Sequence, residues 1–308
     1  MISMIFDSFG RPTLNLRVAV TPRCNLRCFY CHREGEQPHE SDEMKPGEIH
    51  RIVKIASELG IRNLKITGGE PLIRDDIAEI VNNISDVPNL NDISMTTNGT
   101  LLAGRAEELK ACGLRRINIS LVSLNEDVYF QSTGGRLSDA LRGVEDAISA
   151  GLEPIKINAL ILNGTNTGEI EDFVRFAGDR SVILQLIELE SVNLDDSTYK
   201  KFHYPLDDVE RKLSVQASNV EHRALMQNRR IYHLPGKTVE VVRHTEGTEF
   251  CLRCTRLRVT SDGKLKPCLL RNNNLVDILT PMREGASDRD LKEIFLKAIG
   301  LREPYYKT

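Results

Sequence analysis

The chain has 308 residues, of which 40% are hydrophobic and 28% charged, a composition that buries a substantial core and excludes wholesale disorder. Its 41 basic and 44 acidic residues leave a net charge of −3, so no global field gathers phosphate backbones, and no nucleic-acid partner is expected. Met1 to Gly10 lacks the basic-then-apolar order of a signal peptide and no stretch reaches about 18 uninterrupted apolar residues, so a cytoplasmic protein without a membrane partner is expected.

Apolar, β-rich runs alternate with amphipathic segments six times, the pattern of βα units around a parallel sheet. Strands are predicted at Leu14 to Val20, Asn63 to Thr67, Asp92 to Thr96, Arg116 to Leu121, Ile155 to Ile161 and Val182 to Leu189. Helices are predicted at Pro46 to Leu59, Asp75 to Ile84, Leu101 to Ala111, Ser138 to Ala150 and Glu169 to Ala177. Pro46 starts the first of these at a position where its missing N–H costs nothing, and Gly60 stops it. The fold class expected is α/β, an incomplete parallel (β/α)6 barrel in which the C-terminal strand ends carry the chemistry. Beyond Leu189 the alternation fails. Ser191 to Tyr204 is polar, a charged helix-like segment follows, and Lys237 to Leu270 reads as short strands with an Asp262-Gly263 turn. The division expected is a barrel over residues 1–232 and a small C-terminal region over 233–308.

Six of the seven cysteines fall into two groups, leaving Cys112 alone as a small apolar residue. In a reducing compartment such groups read as metal ligands. Cys24, Cys28 and Cys31 form Cys-x-x-x-Cys-x-x-Cys after the first strand. A cubane 4Fe-4S cluster normally takes four thiolates, so three from one loop leave an iron open to an exogenous ligand. The alternative is a structural zinc site completed by His32 or His39. Cys251, Cys254 and Cys268 form the second group, which suits either another cluster or a zinc ribbon completed by His233 or His244. Arg256 and Arg258 alternate after Cys254, so on a strand both guanidinium groups share a face and suit a polyphosphate. Thr67-Gly68-Gly69-Glu70-Pro71 ends the second strand, where paired glycines permit a close main-chain approach.

The Cys24 loop resembles the signature of the radical S-adenosylmethionine (SAM) superfamily, and the Thr67 to Pro71 turn resembles that superfamily's site for the SAM amino group. Nearly the whole chain resembles one family within it, the GTP 3′,8-cyclases of molybdenum-cofactor biosynthesis in their archaeal form. The likeness runs through Asp7-Ser8-Phe9-Gly10-Arg11, Leu16-Arg17, Ile66 to Leu72, Thr96-Thr97-Asn98-Gly99, Phe173 to Gly178, Ile187-Glu188-Leu189 and Cys251-x-x-Cys-Thr-Arg-Leu-Arg to Leu269. That resemblance implies two 4Fe-4S clusters, the first on Cys24, Cys28 and Cys31 and the second on Cys251, Cys254 and Cys268, with the second cluster's free iron meeting the guanine. It implies SAM contacts at Tyr30, Gly69 and Ser120, and GTP contacts at Arg17, Lys65, Thr96, Lys156, Arg256, Leu257 and Arg258.

The implied reaction begins with an external electron donor of the flavodoxin or ferredoxin type, whose electron cleaves SAM to methionine and a 5′-deoxyadenosyl radical. Abstraction of the ribose C3′ hydrogen of GTP and attack on guanine C8 give 3′,8-cyclo-7,8-dihydro-GTP, which passes to a pyranopterin synthase. The chain is expected to be a monomer or homodimer. A radical SAM enzyme acting on a peptide, with an auxiliary cluster, is the alternative. The chain departs from the common pattern at Pro22, Asn63, Lys65, Gln185 and Glu190, and it ends in Tyr305-Tyr306-Lys307-Thr308 where many members end in Gly-Gly.

Overall fold

A computed structural model of the chain describes residues 4–36, 43–243 and 248–305. Six βα strands lie where the sequence places them: β1 (Asn15–Ala19), β2 (Asn63–Thr67), β3 (Asp92–Thr97), β4 (Arg116–Ser120), β5 (Ile155–Ile161) and β6 (Ile183–Glu188). The remaining strands are β7 (Asn219–Arg223), β8 (Arg229–Leu234), β9 (Lys237–Val242), β10 (Arg256–Val259), β11 (Lys264–Lys266) and β12 (Val276–Asp277). They form one twelve-stranded sheet in the order β12-β11-β10-β1-β2-β3-β4-β5-β6-β9-β8-β7. Both β10 and β9 pair parallel with the six-unit core, on β1 and on β6. The incomplete barrel thus gains one parallel strand at each side, and antiparallel strands lie only beyond these.

The helices are α1 (Pro46–Glu58), α2 (Ile77–Ser85), α3 (Ala106–Ala111), α4 (Glu126–Thr133), α5 (Leu137–Ser149), α6 (Ile170–Asp179), α7 (Asp196–Phe202), α8 (Asp207–Gln216), α9 (Thr248–Leu252), α10 (Leu279–Arg283) and α11 (Asp288–Gly300). The helix predicted from Leu101 begins only at Ala106. Gly104 has φ +78°, and Asp146 of α5 accepts the N–H groups of Gly104 and Ala106, fixing the start of α3 from outside. The segment read as helix-like after Tyr204 holds α8 but then turns into the β7–β8 hairpin. Gln227 and Asn228 take φ +64° and +55° at the end of its loop, residues 224–228, just before β8.

Strand alternation divides the sheet chemically. Leu16 and Val18, Leu64 and Ile66, Ile93 and Met95, and Ile117 and Ile119 are buried in the hydrophobic core with the apolar faces of α1, α2 and α5. The intervening residues, among them Arg17, Lys65, Thr96, Asn118 and Lys156, face a common interior cavity. A parallel barrel ordinarily fills its interior with branched apolar side chains. Here charged and polar side chains from β1 to β5 also project into it.

Among the described residues the two lateral parts of the sheet meet without strand pairing. The tip of the β7–β8 hairpin spans the gap: Gln227 N–H donates to Arg253 O at 3.2 Å, Thr255 Oγ1 donates to Leu225 O at 3.1 Å, and Asn15 Nδ2 lies 4.0 Å from Met226 Sδ. Residues from β10 and from β8 therefore line the same cavity. Among the described residues no helix is long and apolar enough to cross a membrane.

Candidate active site

The interior cavity has a volume of about 370 Å³, within the usual range of roughly 300–1,000 Å³ for ligand sites. All six grouped cysteines line it, together with Tyr30, Gly69 and Ser120 and with Arg17, Lys65, Thr96, Lys156, Arg256 and Arg258. Leu257 does not. It alternates to the other face of β10 and is fully buried in the core, so only its main chain is available to a ligand.

The first three cysteines occupy a single loop between β1 and α1, and neighbouring loops hold it through main-chain contacts. Gly69 N–H donates to Thr21 O at 2.7 Å, and Glu70 N–H donates to Arg23 O at 2.8 Å. A Cβ at Gly69 would lie 2.1 Å from Arg23 O, and one at Gly68 would lie 2.5 Å from Thr21 O. The glycine pair is thus required for the turn to dock on the cysteine loop, a closer constraint than the approach of a ligand. Glu70 is fully buried and accepts from Thr97 Oγ1 and from Asn98 and Leu72 N–H, tying the turn to the end of β3. Asn98 in turn donates to Asn25 Oδ1 and approaches Cys24 Sγ at 3.9 Å. Burial raises the Cys24 and Cys31 thiols and pushes Cys28 up to about 12.

The other triplet is assembled from separate elements: Cys251 in α9, Cys254 before β10 and Cys268 after β11. Both ends of the chain support it. Arg11 Nη1 donates to Cys251 O at 2.8 Å, and Arg302 Nη2 donates to Cys254 O at 2.6 Å. Asp7, buried between them, pairs with Arg11 at 2.8 Å and with Arg302 at 3.4 Å. Burial works to raise the Cys254 thiol, yet the guanidinium groups of Arg256, Arg302 and Arg11 outweigh it and the net shift is downward.

Donor chemistry matches clusters better than zinc. None of the cysteines forms a disulfide, and each triplet supplies three sulfurs to one cavity. His32 uses Nδ1 to accept from Glu34 N–H, and His233 sits on the outer hairpin 3.7 Å from Glu221. Neither His32 nor His233 is committed to a cysteine triplet, and His39 and His244 lie outside the described residues.

Charge in the cavity is organised across strands. Arg258, Arg17 and Lys65 stand in register on β10, β1 and β2, forming a row of three cations. Arg17 and Arg258 share one carboxylate, Glu34, with Arg17 Nη1 at 3.1 Å. Burial would raise Glu34, but Arg17 and Arg258 hold it down to about 2. Lys65 donates to neutral Asn118 at 2.8 Å, and burial followed by Arg17 lowers its pKa well below the ordinary lysine value. The Arg256 side chain makes no hydrogen bond or ion pair with a described residue, while its main-chain N–H donates to Cys254 and its guanidinium lies close enough to favour the Cys254 thiolate. Burial, then Arg229 and Arg17, depress the Arg256 pKa strongly. Lys156 is instead neutralised by fully buried Glu240, which also faces Arg223 at 3.3 Å and Arg229 at 3.6 Å.

Sequence reasoning missed Glu34, Glu240, Asn118 and the β8 arginine Arg229. The polar alternation in strands that should pack a barrel interior was the available signal for Asn118. For Glu34 and Glu240 there was none, because each finds its partners only through the folded sheet. Glu190, noted as a departure, lines the cavity with an Oε2 that has no partner among the described residues.

Comparisons with known proteins agree along the whole chain. The profile of the Radical SAM superfamily matches residues 18–177, and that of Molybdenum Cofactor Synthesis C matches residues 182–308. The chain is 49% identical to a protein of Thermococcus kodakarensis named probable GTP 3′,8-cyclase, over 99% of this chain and 100% of that one. A protein of the same name in Methanococcus aeolicus is 45% identical over 98% and 99%. Among solved structures, Streptococcus suis SuiB bound to precursor peptide SuiA matches with a TM-score of 0.66 at 17% identity, covering 97% of this chain and 67% of SuiB. Native anSMEcpe with bound AdoMet matches with a TM-score of 0.58 at 18% identity, over 86% and 77%. Those two likenesses carry the fold alone.

Proposed function

The chain belongs to the radical SAM superfamily and, within it, to the GTP 3′,8-cyclase family, and from that premise we propose that it converts GTP to 3′,8-cyclo-7,8-dihydro-GTP at an early step of molybdenum-cofactor biosynthesis. It carries two 4Fe-4S clusters and uses SAM. The observation that carries the reading is the meeting of both cysteine triplets and the cation row in one cavity. Cys24, Cys28 and Cys31 would hold the first cluster, and Cys251, Cys254 and Cys268 the second.

Reductive cleavage of SAM at the first cluster supplies a 5′-deoxyadenosyl radical, chemistry that belongs to the cofactor. The protein's part is placement. Tyr30, Gly69 and Ser120 hold SAM beside the first triplet. Arg17, Arg256 and Arg258 take the triphosphate with charge-assisted hydrogen bonds, assisted by Lys65 and Thr96 and by the main chain of Leu257. Lys156, already neutralised by Glu240, orients the cavity wall. Held at both ends, GTP keeps its ribose between the two cysteine triplets, and the enclosed cavity limits water around a reactive radical.

The division of the chain into a barrel over 1–232 and a cluster-binding region over 233–308 belongs to this proposal. So do a flavodoxin- or ferredoxin-type reductant, a downstream pyranopterin synthase, a monomeric or homodimeric state and a cytoplasmic location. A peptide substrate is not favoured: the peptide-bound relative shares 17% identity, against 43–49% for full-length relatives named cyclases. Anaerobically reconstituted protein given SAM, dithionite and GTP should yield 5′-deoxyadenosine and a cyclised GTP in equal amounts by mass spectrometry. Formation of 5′-deoxyadenosine with GTP left intact would transfer the chemistry to another substrate.

A further inference from the structure

We propose that Glu34 is a resident anion of the phosphate site, holding Arg17 and Arg258 where a phosphate group of the substrate will sit and giving way when that group enters. The inference rests on the nucleotide reading above and adds to it a competitor built into the chain. Arg258, Arg17 and Lys65 are neighbours in register on adjacent strands. Three cations so placed repel one another unless an anion stands among them. In this structure that anion is Glu34, whose two oxygens reach Arg17 Nη1 at 3.1 and 3.4 Å while Oε2 also bonds Arg258 Nη1. One carboxylate bridging two guanidinium groups is the arrangement a phosphate makes with the same donors.

Glu34 does not come from the sheet. It projects from a short strap, residues 32–36, directly after Cys31. The strap is pinned on both sides of it. Asn193 Nδ2 donates to His32 O at 2.9 Å, Glu36 accepts from Ser261 N–H at 3.1 Å, and a Cβ on Gly35 would lie 2.4 Å from Leu269 O. Arg33 and Glu34 both adopt left-handed backbone, with φ +49° and +52°, a conformation that persists only where neighbours impose it. The strap therefore aims the carboxylate into the cation row.

Arg256 sharpens the contrast. It lies two residues from Arg258 on the same face of β10 and lines the same cavity, with the Cys254 thiol beside it but no carboxylate bound to its guanidinium among the described residues. An entering polyphosphate meets no bound carboxylate at Arg256, but it must displace Glu34 to reach Arg17 and Arg258. A carboxylate that merely braced the arginines would strengthen phosphate binding. A placeholder weakens it. The two roles predict opposite signs for the same substitution.

Equilibrium dialysis of anaerobically reconstituted protein, with GTP and separately with inorganic tripolyphosphate, reads the sign. Glu34→Gln is expected to bind both ligands about tenfold more tightly than the wild type, a ratio equivalent to about 1.4 kcal/mol, with affinity for guanosine unchanged. Unchanged or weaker binding of tripolyphosphate would overturn the proposal. Should Glu34→Gln fail to retain iron, Glu34→Asp decides: it keeps the charge but withdraws it by one methylene, and it too must bind tripolyphosphate more tightly. Wild-type protein that takes tripolyphosphate but not GTP would remove the substrate reading while leaving the placeholder in force.

Discussion

The two cysteine triplets line one cavity but are held by opposite means. The first sits within eight residues of chain, and its loop is fixed by main-chain hydrogen bonds from the Gly68-Gly69 turn. The second is gathered from three elements, and its carbonyls are held by Arg11 and Arg302, guanidinium groups from the two ends of the chain. A compact loop needs only neighbours that approach closely. A dispersed triplet needs long, charged side chains that reach across the fold, each of which must itself be neutralised, as Asp7 does here. The first site should therefore fail through steric intrusion, and the second through loss of a buried charge.

Arg302→Ala should give the largest effect. Arg302 and Asp7 are both fully buried, and removing one partner of a buried pair costs about 3–5 kcal/mol. The unfolding temperature should fall sharply and iron content should approach half, the remainder on the first triplet. An unchanged melting temperature would contradict the account of how the second triplet is held. Gly69→Ala should do the reverse. Its Cβ would meet Arg23 O at 2.1 Å, an overpacking of the order of 1–3 kcal/mol, so SAM binding and first-cluster iron should be lost while the second cluster persists. Iron analysis and SAM dialysis on the variant measure both.

Arg256→Ala tests the cavity between them. A charge-assisted hydrogen bond contributes about 1.5–3 kcal/mol, so GTP affinity should drop roughly 10–100-fold with SAM affinity unaltered; a parallel loss of both would place Arg256 in the fold and not at the phosphates. The smallest effect concerns pH. Lys156, Arg229 and Arg223 overcome burial to hold Glu240 down to about 2, against about 4.3 for an unfolded glutamate. A depressed acid contributes stability above its unfolded pKa and loses it as pH falls through the folded one. The difference in melting temperature between wild type and Glu240→Gln should be level from pH 8 to 5 and shrink below about pH 4. A difference that grew on acidification would have the wrong sign.

The legibility of the chain follows the same division between local and distant. The core strands were readable because their β-branched runs are bounded by glycine, as at Gly60 before β2 and Gly151 before β5. The β7–β8 hairpin was not, since its residues are largely polar and its role is to span the gap from Leu225 to Thr255. Both triplets were legible from cysteine spacing. The Asp7 to Arg11 string was legible as a likeness, but its task is visible only where Arg11 meets Cys251, 240 residues away in sequence. Gly69 was assigned to a ligand, and the structure adds a reason that no spacing rule carries: the loop beside it leaves no room for a side chain.

In the proposed function, one cavity sets the ribose of GTP between a SAM-bearing triplet and a guanine-facing triplet. GTP deuterated at the ribose C3′ position probes that placement, by mass spectrometry of the 5′-deoxyadenosine formed in a single anaerobic turnover. One deuterium is expected in that product. Undeuterated 5′-deoxyadenosine beside a cyclised nucleotide that retains its label would contradict it, because hydrogen would then have been taken from a position other than the one the cavity presents.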